Sequence, residues 1–272
     1  MVGGQNRQVF RCEGCVWDGL AMDSAPGDAP AAIGGRLDPA TVLAGYRHGA
    51  FPMPAVSAAE AEVNHFLYED SVAAGTTAVL DSPLPDPFAL TWWSPDPRPV
   101  IPYGRLTKPR SLMKLLRNRL RWTTTANQSF DRVLAECRVN RIPEWLTDEL
   151  CECMGELHKL GWAHSVEVWD GEELVGGAVG IGVGTVFTLD TCFHRQTNAS
   201  KVALLDMECR LAGTGVTLLD VEWDSEQSRR LNAGPVPRRE FLAALSRGGD
   251  PVPLAGGVEE VRRLGFLRTP VE

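Results

Sequence analysis

The spacing of apolar residues changes period several times along the chain, and each change marks an element. Val42, Leu43 and Tyr46 recur at helical spacing. They follow Asp38, a suitable N-cap, and Pro39, at the first helical position, where proline is favoured. Gly49 is the expected stop. Leu112, Leu115, Leu116 and Leu120 form an apolar stripe among Arg110, Lys114, Arg117, Arg119 and Arg121, so a basic amphipathic helix is predicted over about 110–121. Thr147 caps a further helix with Asp148 and Glu149 in its first turn, where the dipole favours acids. Leu150, Met154, Leu157 and Leu160 make its stripe, and Gly161 ends it. The period then falls to two. Residues 164–169 alternate, Asp170-Gly171 turns, 173–182 pair back, and Gly184 turns again into 185–191, which predicts an antiparallel meander. A helix over about 199–212, a strand over 218–223 and a last helix over 235–244 follow.

This order of helix, strands, helix, strand, helix is α+β and not alternating βαβ. Residues 1–32 read as loosely ordered. Residues 55–90 are rich in Ala, Ser, Asp and Pro without a sustained period; they read as an inserted loop, with one helix at most near 60–69. The Pro- and aromatic-dense run 92–102 is expected to be extended. Two domains are predicted: a small N-terminal α/β domain over 1–107 that contains the disordered start and the 55–90 insertion, and a catalytic domain over 108–272.

Composition refines this picture. The chain has 272 residues, 44% hydrophobic and 23% charged, which suits an ordered globular body. The formal net charge of −8 argues against a broad nucleic-acid-binding surface and makes the basic helix stand out. That helix is either a solvated face or a patch for phosphates. The run 174–189 is uncharged but glycine-rich and short for a membrane helix, so it reads as buried strands. The stretch 1–16 is polar and lacks an apolar core, so no secretory or transit segment is expected. Seven scattered cysteines fit a reduced, cytoplasmic protein. Cys12 and Cys15 form a C-x-x-C without two further ligands at suitable spacing, so no metal is expected.

The candidate chemistry lies near the last predicted strand. Alternation over 218–223 puts Asp220 and Glu222 on one face and Leu219, Val221 and Trp223 on the other. Either this is an edge strand with a wet face, or the two carboxylates form a pair in which repulsion and burial raise one pKa toward that of a general base. Asp190, at the end of the last meander strand, could be a third member, and such a cluster suits a cationic amine. The stripe Leu204, Met207 and Leu211 is either plain core or the wall of an apolar pocket. Arg210-x-x-Gly213-x-Gly215 matches the acetyl-CoA loop pattern, but its glycines follow a helix and precede a strand, so they read as a helix stop.

Taken in order, these segments resemble the leucyl/phenylalanyl-tRNA–protein transferases. The resemblance rests on Gly34-Gly35…Leu37, Tyr46-Arg47…Gly49-Ala50-Phe51-Pro52 and Trp92-Trp93-Ser94-Pro95-Asp96-Pro97-Arg98. It continues through Trp145, Leu157-His158, Ala163-His164-Ser165, Glu167-Val168-Trp169, Glu173-Leu174-Val175-Gly176-Gly177, Asn198-Ala199-Ser200-Lys201 and Pro237-Arg238-Arg239. It implies a GNAT-like C-terminal domain with a mostly antiparallel sheet, used without acetyl-CoA or any other cofactor. It implies transfer of an amino acid from aminoacyl-tRNA to the N-terminus of a protein or peptide, with no metal and no membrane. The alternative keeps that donor but gives the amino acid to a small-molecule amine in specialised metabolism. By resemblance, Asp220 is the active-site Asp, and Glu222 stands where the family has Gln. Asp190 stands where it has Glu, and Trp145 is one of the aromatic residues that hold the terminal adenosine. Met53 replaces a Trp, Met207 and Leu211 replace pocket Phe residues, and Cys192 replaces a Met. Arg110, Lys114 and Arg117 fall in the tRNA-contacting region.

Overall fold

Two sheets organise the chain in the computed structural model, which describes residues 16–139, 144–247 and 250–267. The C-x-x-C at Cys12 and Cys15 lies outside them. The first half contributes β1 (Ala32–Gly34), α1 (Pro39–Arg47), β2 (Phe51–Pro54), α2 (Ala58–Ala73), β3 (Ala78–Leu80) and β4 (Leu90–Trp93). Its four strands pair in the order β2-β4-β1-β3, with only β1 and β3 parallel.

α1 forms as its sequence dictates. The Asp38 carboxylate accepts the Thr41 backbone N–H at 2.8 Å, and Val42, Leu43 and Tyr46 are buried. Gly49, at φ +80°, ends the helix where a Cβ would come within 2.6 Å of Leu242.

The 55–90 segment is not the irregular loop its composition suggests. It holds the sixteen-residue α2 and the strand β3. Ser57 caps α2 through the Glu60 N–H, and the Glu60 carboxylate returns to the Val56 N–H. The helix shows no apolar period because it lies on the surface. It buries Ala61 and leaves Val63, Phe66 and Leu67 in solvent.

The larger sheet takes β5 (Arg98–Pro102), β6 (Thr123–Ala126), β7 (Ala163–Asp170), β8 (Glu173–Val183), β9 (Val186–His194), β10 (Leu218–Asp220), β11 (Gly234–Val236) and β12 (Glu259–Glu260). Their order is β11-β5-β10-β9-β8-β7-β6-β12. Among these pairs only β9 and β10 run parallel. The fold is therefore α+β with mostly antiparallel sheets. β5 lies before residue 107, yet it sits inside this larger sheet.

Around it pack α3 (Arg110–Asn118), α4 (Phe130–Arg138), α5 (Asp148–Lys159), α6 (Ala199–Arg210), α7 (Glu226–Arg230) and α8 (Arg238–Leu245). The meander β7-β8-β9 forms as read from the alternation. α6 approaches it closely, because a Cβ on Gly176 would meet Ala199 at 2.5 Å.

Several boundaries differ from expectation. α3 stops at Asn118 and not near 121, since the chain must reach β6 at Thr123. Leu160 is exposed rather than part of the α5 stripe, and Trp162 fills the core beyond the helix end. The predicted helix over 235–244 begins only at Arg238, because Gly234–Val236 pairs with β5. The strand predicted over 218–223 ends at Asp220, for a reason that belongs to the site.

Candidate active site

β9 and β10 run side by side only from Val186 to Thr188, paired with Leu218 to Asp220. Beyond that point β9 continues with Asp190 and Cys192, while the chain after β10 turns away. Glu222 takes the left-handed backbone, at φ +62°, and breaks the alternation that would have put it beside Asp220 on a strand face. The gap between the parting strands is a cavity of about 260 Å³. Asp190, Cys192, Leu204, Glu222 and Trp223 line it from the large sheet and its helices. Met53 on β2 and Trp145 before α5 close it from the other side.

The chain thus brings five of the predicted residues to one cavity: Asp190, Cys192, Glu222, Trp145 and Met53. Three more lie elsewhere. Met207 and Leu211 are buried in the core, and Leu204 of the same helix faces the cavity in their place. Asp220 is fully buried and does not line it.

The surroundings of Asp220 explain its burial. Arg98 donates from Nε to Oδ1 at 2.8 Å and from Nη2 to Oδ2 at 2.6 Å. Thr188 donates its hydroxyl to Oδ2 at 3.1 Å, and the Glu222 backbone N–H donates to Oδ1 at 3.0 Å. Both oxygens are engaged in a bidentate ion pair, the strong form of this contact. The guanidinium is itself 4.8 Å from the Phe51 ring centre and 4.7 Å from that of Phe241. Asp220 therefore fixes the turn that carries Glu222.

Asp190 is the opposite case. The Tyr46 hydroxyl donates to its Oδ1, but its buried Oδ2 has no hydrogen-bond partner among the described residues. Burial pushes its pKa up to about 7, and the nearby Asp220 charge raises it too, against the lowering effects of the Tyr46 hydrogen bond and the Arg98 charge. Tyr46 titrates well above its usual range, first through burial and then through the charges of Asp190, Glu222 and Asp220. Three carboxylates thus act on one phenol.

Sequence reasoning misses Tyr46 and Arg98 as members of the site. Tyr46 reads as an apolar helix position and Arg98 as the end of a proline-rich run. One signal is available: an arginine opening the apolar strand Arg98–Pro102 must find a buried acid.

α3 presents Arg110 and Lys114 to solvent, whereas Arg117 is half-buried and donates to the Gly265 carbonyl. Arg210 of the R-x-x-G-x-G pattern pairs with Asp206 at 2.7 Å and with the Ala255 carbonyl at 2.7 Å, and α6 ends there before the glycines. Among the described residues no cluster of three or more His, Cys, Asp or Glu side chains is arranged to hold a metal ion. No described helix is long and apolar enough to cross a membrane.

Residues 100–246 match the family model described as leucyl/phenylalanyl-tRNA protein transferase. A protein of Shewanella sediminis named leucyl/phenylalanyl-tRNA–protein transferase is 36% identical over 222 residues, which cover 80% of this chain and 81% of that one. A protein of the same name from Anaeromyxobacter dehalogenans is 35% identical over 233 residues, 84% of this chain and 87% of its own. With the matched region spanning β5 to α8, and so both strands that part at the cavity, the chain belongs to the leucyl/phenylalanyl-tRNA–protein transferase family.

Proposed function

We propose that this chain moves an amino acid from an aminoacyl-tRNA to an amine at the N-terminus of a protein or peptide, with Asp190 as the proton acceptor. The observation that carries this reading is the unpartnered Oδ2 of Asp190 at the wall of the cavity, on a carboxylate whose pKa is raised to about 7. An incoming α-ammonium group supplies the missing donor. Near neutral pH such a carboxylate is part ionised and can take a proton.

The chemistry needs little else. The ester carbonyl is already activated, so amide formation uses no cofactor and no ATP. The ammonium group gives one proton to Asp190. The free amine attacks the ester carbonyl, the bond to the ribose oxygen breaks, and the second proton leaves the nitrogen for that oxygen. Orientation supplies much of the rate. Glu222 adds a second negative charge for the ammonium group, and Asp220 positions Glu222 through its backbone. Met53, Leu189, Cys192, Leu204 and Val221 give the cavity an apolar wall suited to an apolar aminoacyl side chain. Trp145 offers a ring to the terminal adenosine, and exposed Arg110 and Lys114 offer charge to the tRNA phosphates.

The C-terminal region is read as GNAT-like. Three antiparallel strands, a helix packed on them, and a strand returning parallel to the third support that reading, as does the site at the parting of β9 and β10.

The test is direct. tRNA charged with each amino acid in turn is incubated with the protein and a panel of amines and peptides. Label should move from the alkali-labile ester to an alkali-stable amide on the peptide. Label that stays on tRNA with every acceptor overturns the reading.

A further inference from the structure

Residues 250–267 lie beyond the region that matches the family model, and they fold back over the basic helix α3. β12 pairs with β6 through Glu260 and Thr123, and the Val261 N–H donates to the Trp122 carbonyl. A short 3-10 helix, Val261–Phe266, then runs back along α3. Gly265 seats this strap: a Cβ there would come within 2.6 Å of Arg117 Cγ and 3.1 Å of the Met113 carbonyl oxygen. Arg117 in turn donates to the Gly265 carbonyl.

Side chains three apart eclipse in a 3-10 helix. Val261 and Leu264 are buried on one side. Arg263 turns to Asp206 and Glu259. Arg262 shares the side of Gly265, which meets α3. The pairing of Glu260 with Thr123, and of Val261 with Trp122, brings Arg262 next to Arg121. Arg110, Lys114, Arg121 and Arg262 are exposed, and among the described residues no ion pair holds any of them. The nearby acids are engaged elsewhere: Asp206 with Arg210 and Arg263, Glu208 with Lys108, and Glu259 with Arg263. Exposed Glu260 is the acid that opposes the patch. On a chain of net charge −8, cations gathered in this way repel one another and favour a polyanion.

The patch begins at the cavity. The Thr107 N–H donates to the Leu231 carbonyl at 3.2 Å, and Leu231 lines the cavity of Asp190. Arg110 follows three residues later, and the nine residues of α3 carry the charge roughly 13 Å farther at about 1.5 Å per residue. We infer that the tRNA-docking face of this chain is a composite: the C-terminal strap holds α3 in place, and Arg262 adds a phosphate contact beyond those of Arg110 and Lys114, on the helical stem of the tRNA and not on its single-stranded end. This rests on aminoacyl-tRNA as the donor and brings a segment outside the matched region into the RNA surface.

The test is filter binding of tRNA to the full chain over a salt series, beside transfer from an aminoacylated trinucleotide that carries the same terminal adenosine. Arg262→Gln should lower the slope of log affinity against log salt by about 1 for tRNA and leave transfer from the trinucleotide unchanged. Arg262→Lys should keep the parent slope. Arg262→Gln combined with Lys114→Gln should lose about 2. Gly265→Val, whose side chain strikes α3, should raise KM for tRNA severalfold at unchanged kcat. An unmoved slope in Arg262→Gln overturns the proposal and leaves the donor reading intact. So does an equal loss with the trinucleotide. Arg262-dependent binding to phosphatidylglycerol vesicles, with an unmoved tRNA slope, assigns the patch to a lipid surface and also overturns it. If the parent chain binds tRNA with this slope pattern but transfers nothing, the composite face stands and the transfer reading falls. If the parent chain binds no tRNA, both fall.

Discussion

Tyr46 on α1 donates its hydroxyl to Asp190 on β9, a contact that joins the helix of the small-sheet half to an inner strand of the large sheet. The hydrogen bond favours the ionised carboxylate and holds the Asp190 pKa below the level that burial alone would set. Tyr46→Phe should therefore move the acid limb of the rate profile to higher pH. It should also cost about 1.5–3 kcal/mol of stability where Asp190 is ionised, the usual value of a hydrogen bond to a charged group. A pH–rate profile with an unmoved limb contradicts this role.

Asp190 itself sets a stability slope whose sign is fixed. Its pKa rises from the ordinary 3.8 to about 7 in the fold, so between those values the folded state binds more protons than the unfolded. Stability should fall as pH rises from about 4 to about 7, by up to roughly 4 kcal/mol at about 1.4 kcal/mol per pKa unit. Asp190→Asn should remove that loss and gain on the parent chain across the same window, as chemical denaturation at several pH values would show. The same variant should lose about 10²–10⁴ of the transfer rate, the usual contribution of a general base. A variant with full rate ends the proposed proton transfer.

Arg98 and Asp220 are almost fully buried and engage each other at two points. Removing one partner leaves the other charged and unsatisfied, at a cost of about 3–5 kcal/mol. Arg98→Ala should lower the thermal midpoint strongly. Arg98→Lys should recover only part of it, because an ammonium group cannot make both contacts. If the two variants melt alike, the bidentate geometry does not set the stability.

What could be read from the sequence follows from how each element comes to be buried. The meander β7-β8-β9, α1 and α5 bury faces with a clean period, so alternation, caps and stop glycines located them. α2 could not be located that way: Ala61 faces the protein, while Phe66 faces water. β3, β11 and β12 are two or three residues long and exist only through their partners. The carboxylate cluster was legible, but the role of each member was not. Asp220 and Glu222 have the spacing of strand neighbours. Only the left-handed backbone at Glu222 and the arrival of Arg98 from a distant strand show that one carboxylate is bound within the protein and that the other reaches the cavity.

α3 separates two kinds of basic residue. Lys114→Glu and Arg110→Glu should weaken tRNA binding and flatten its salt dependence, each lost phosphate contact lowering the slope by about 1. Arg117→Ala should act mainly on stability, because its guanidinium donates to the Gly265 carbonyl and its stem packs on that glycine. A filter-binding salt series beside thermal melts tells them apart. Equal salt slopes for parent and Lys114→Glu would remove this helix from the tRNA surface.

Glu222 tests how charge and backbone share one position. Its φ of +62° costs a non-glycine residue roughly 1–2 kcal/mol. Glu222→Gly should therefore hold or raise stability, while removing the second carboxylate from the cavity. Glu222→Gln keeps the shape and removes only the charge. It should leave tRNA affinity unchanged and raise KM for the acceptor, because one of the two negative charges that meet the ammonium group is gone. If Glu222→Gln and Glu222→Gly both transfer like the parent at every pH, Glu222 does not meet the amine and Asp190 receives it alone.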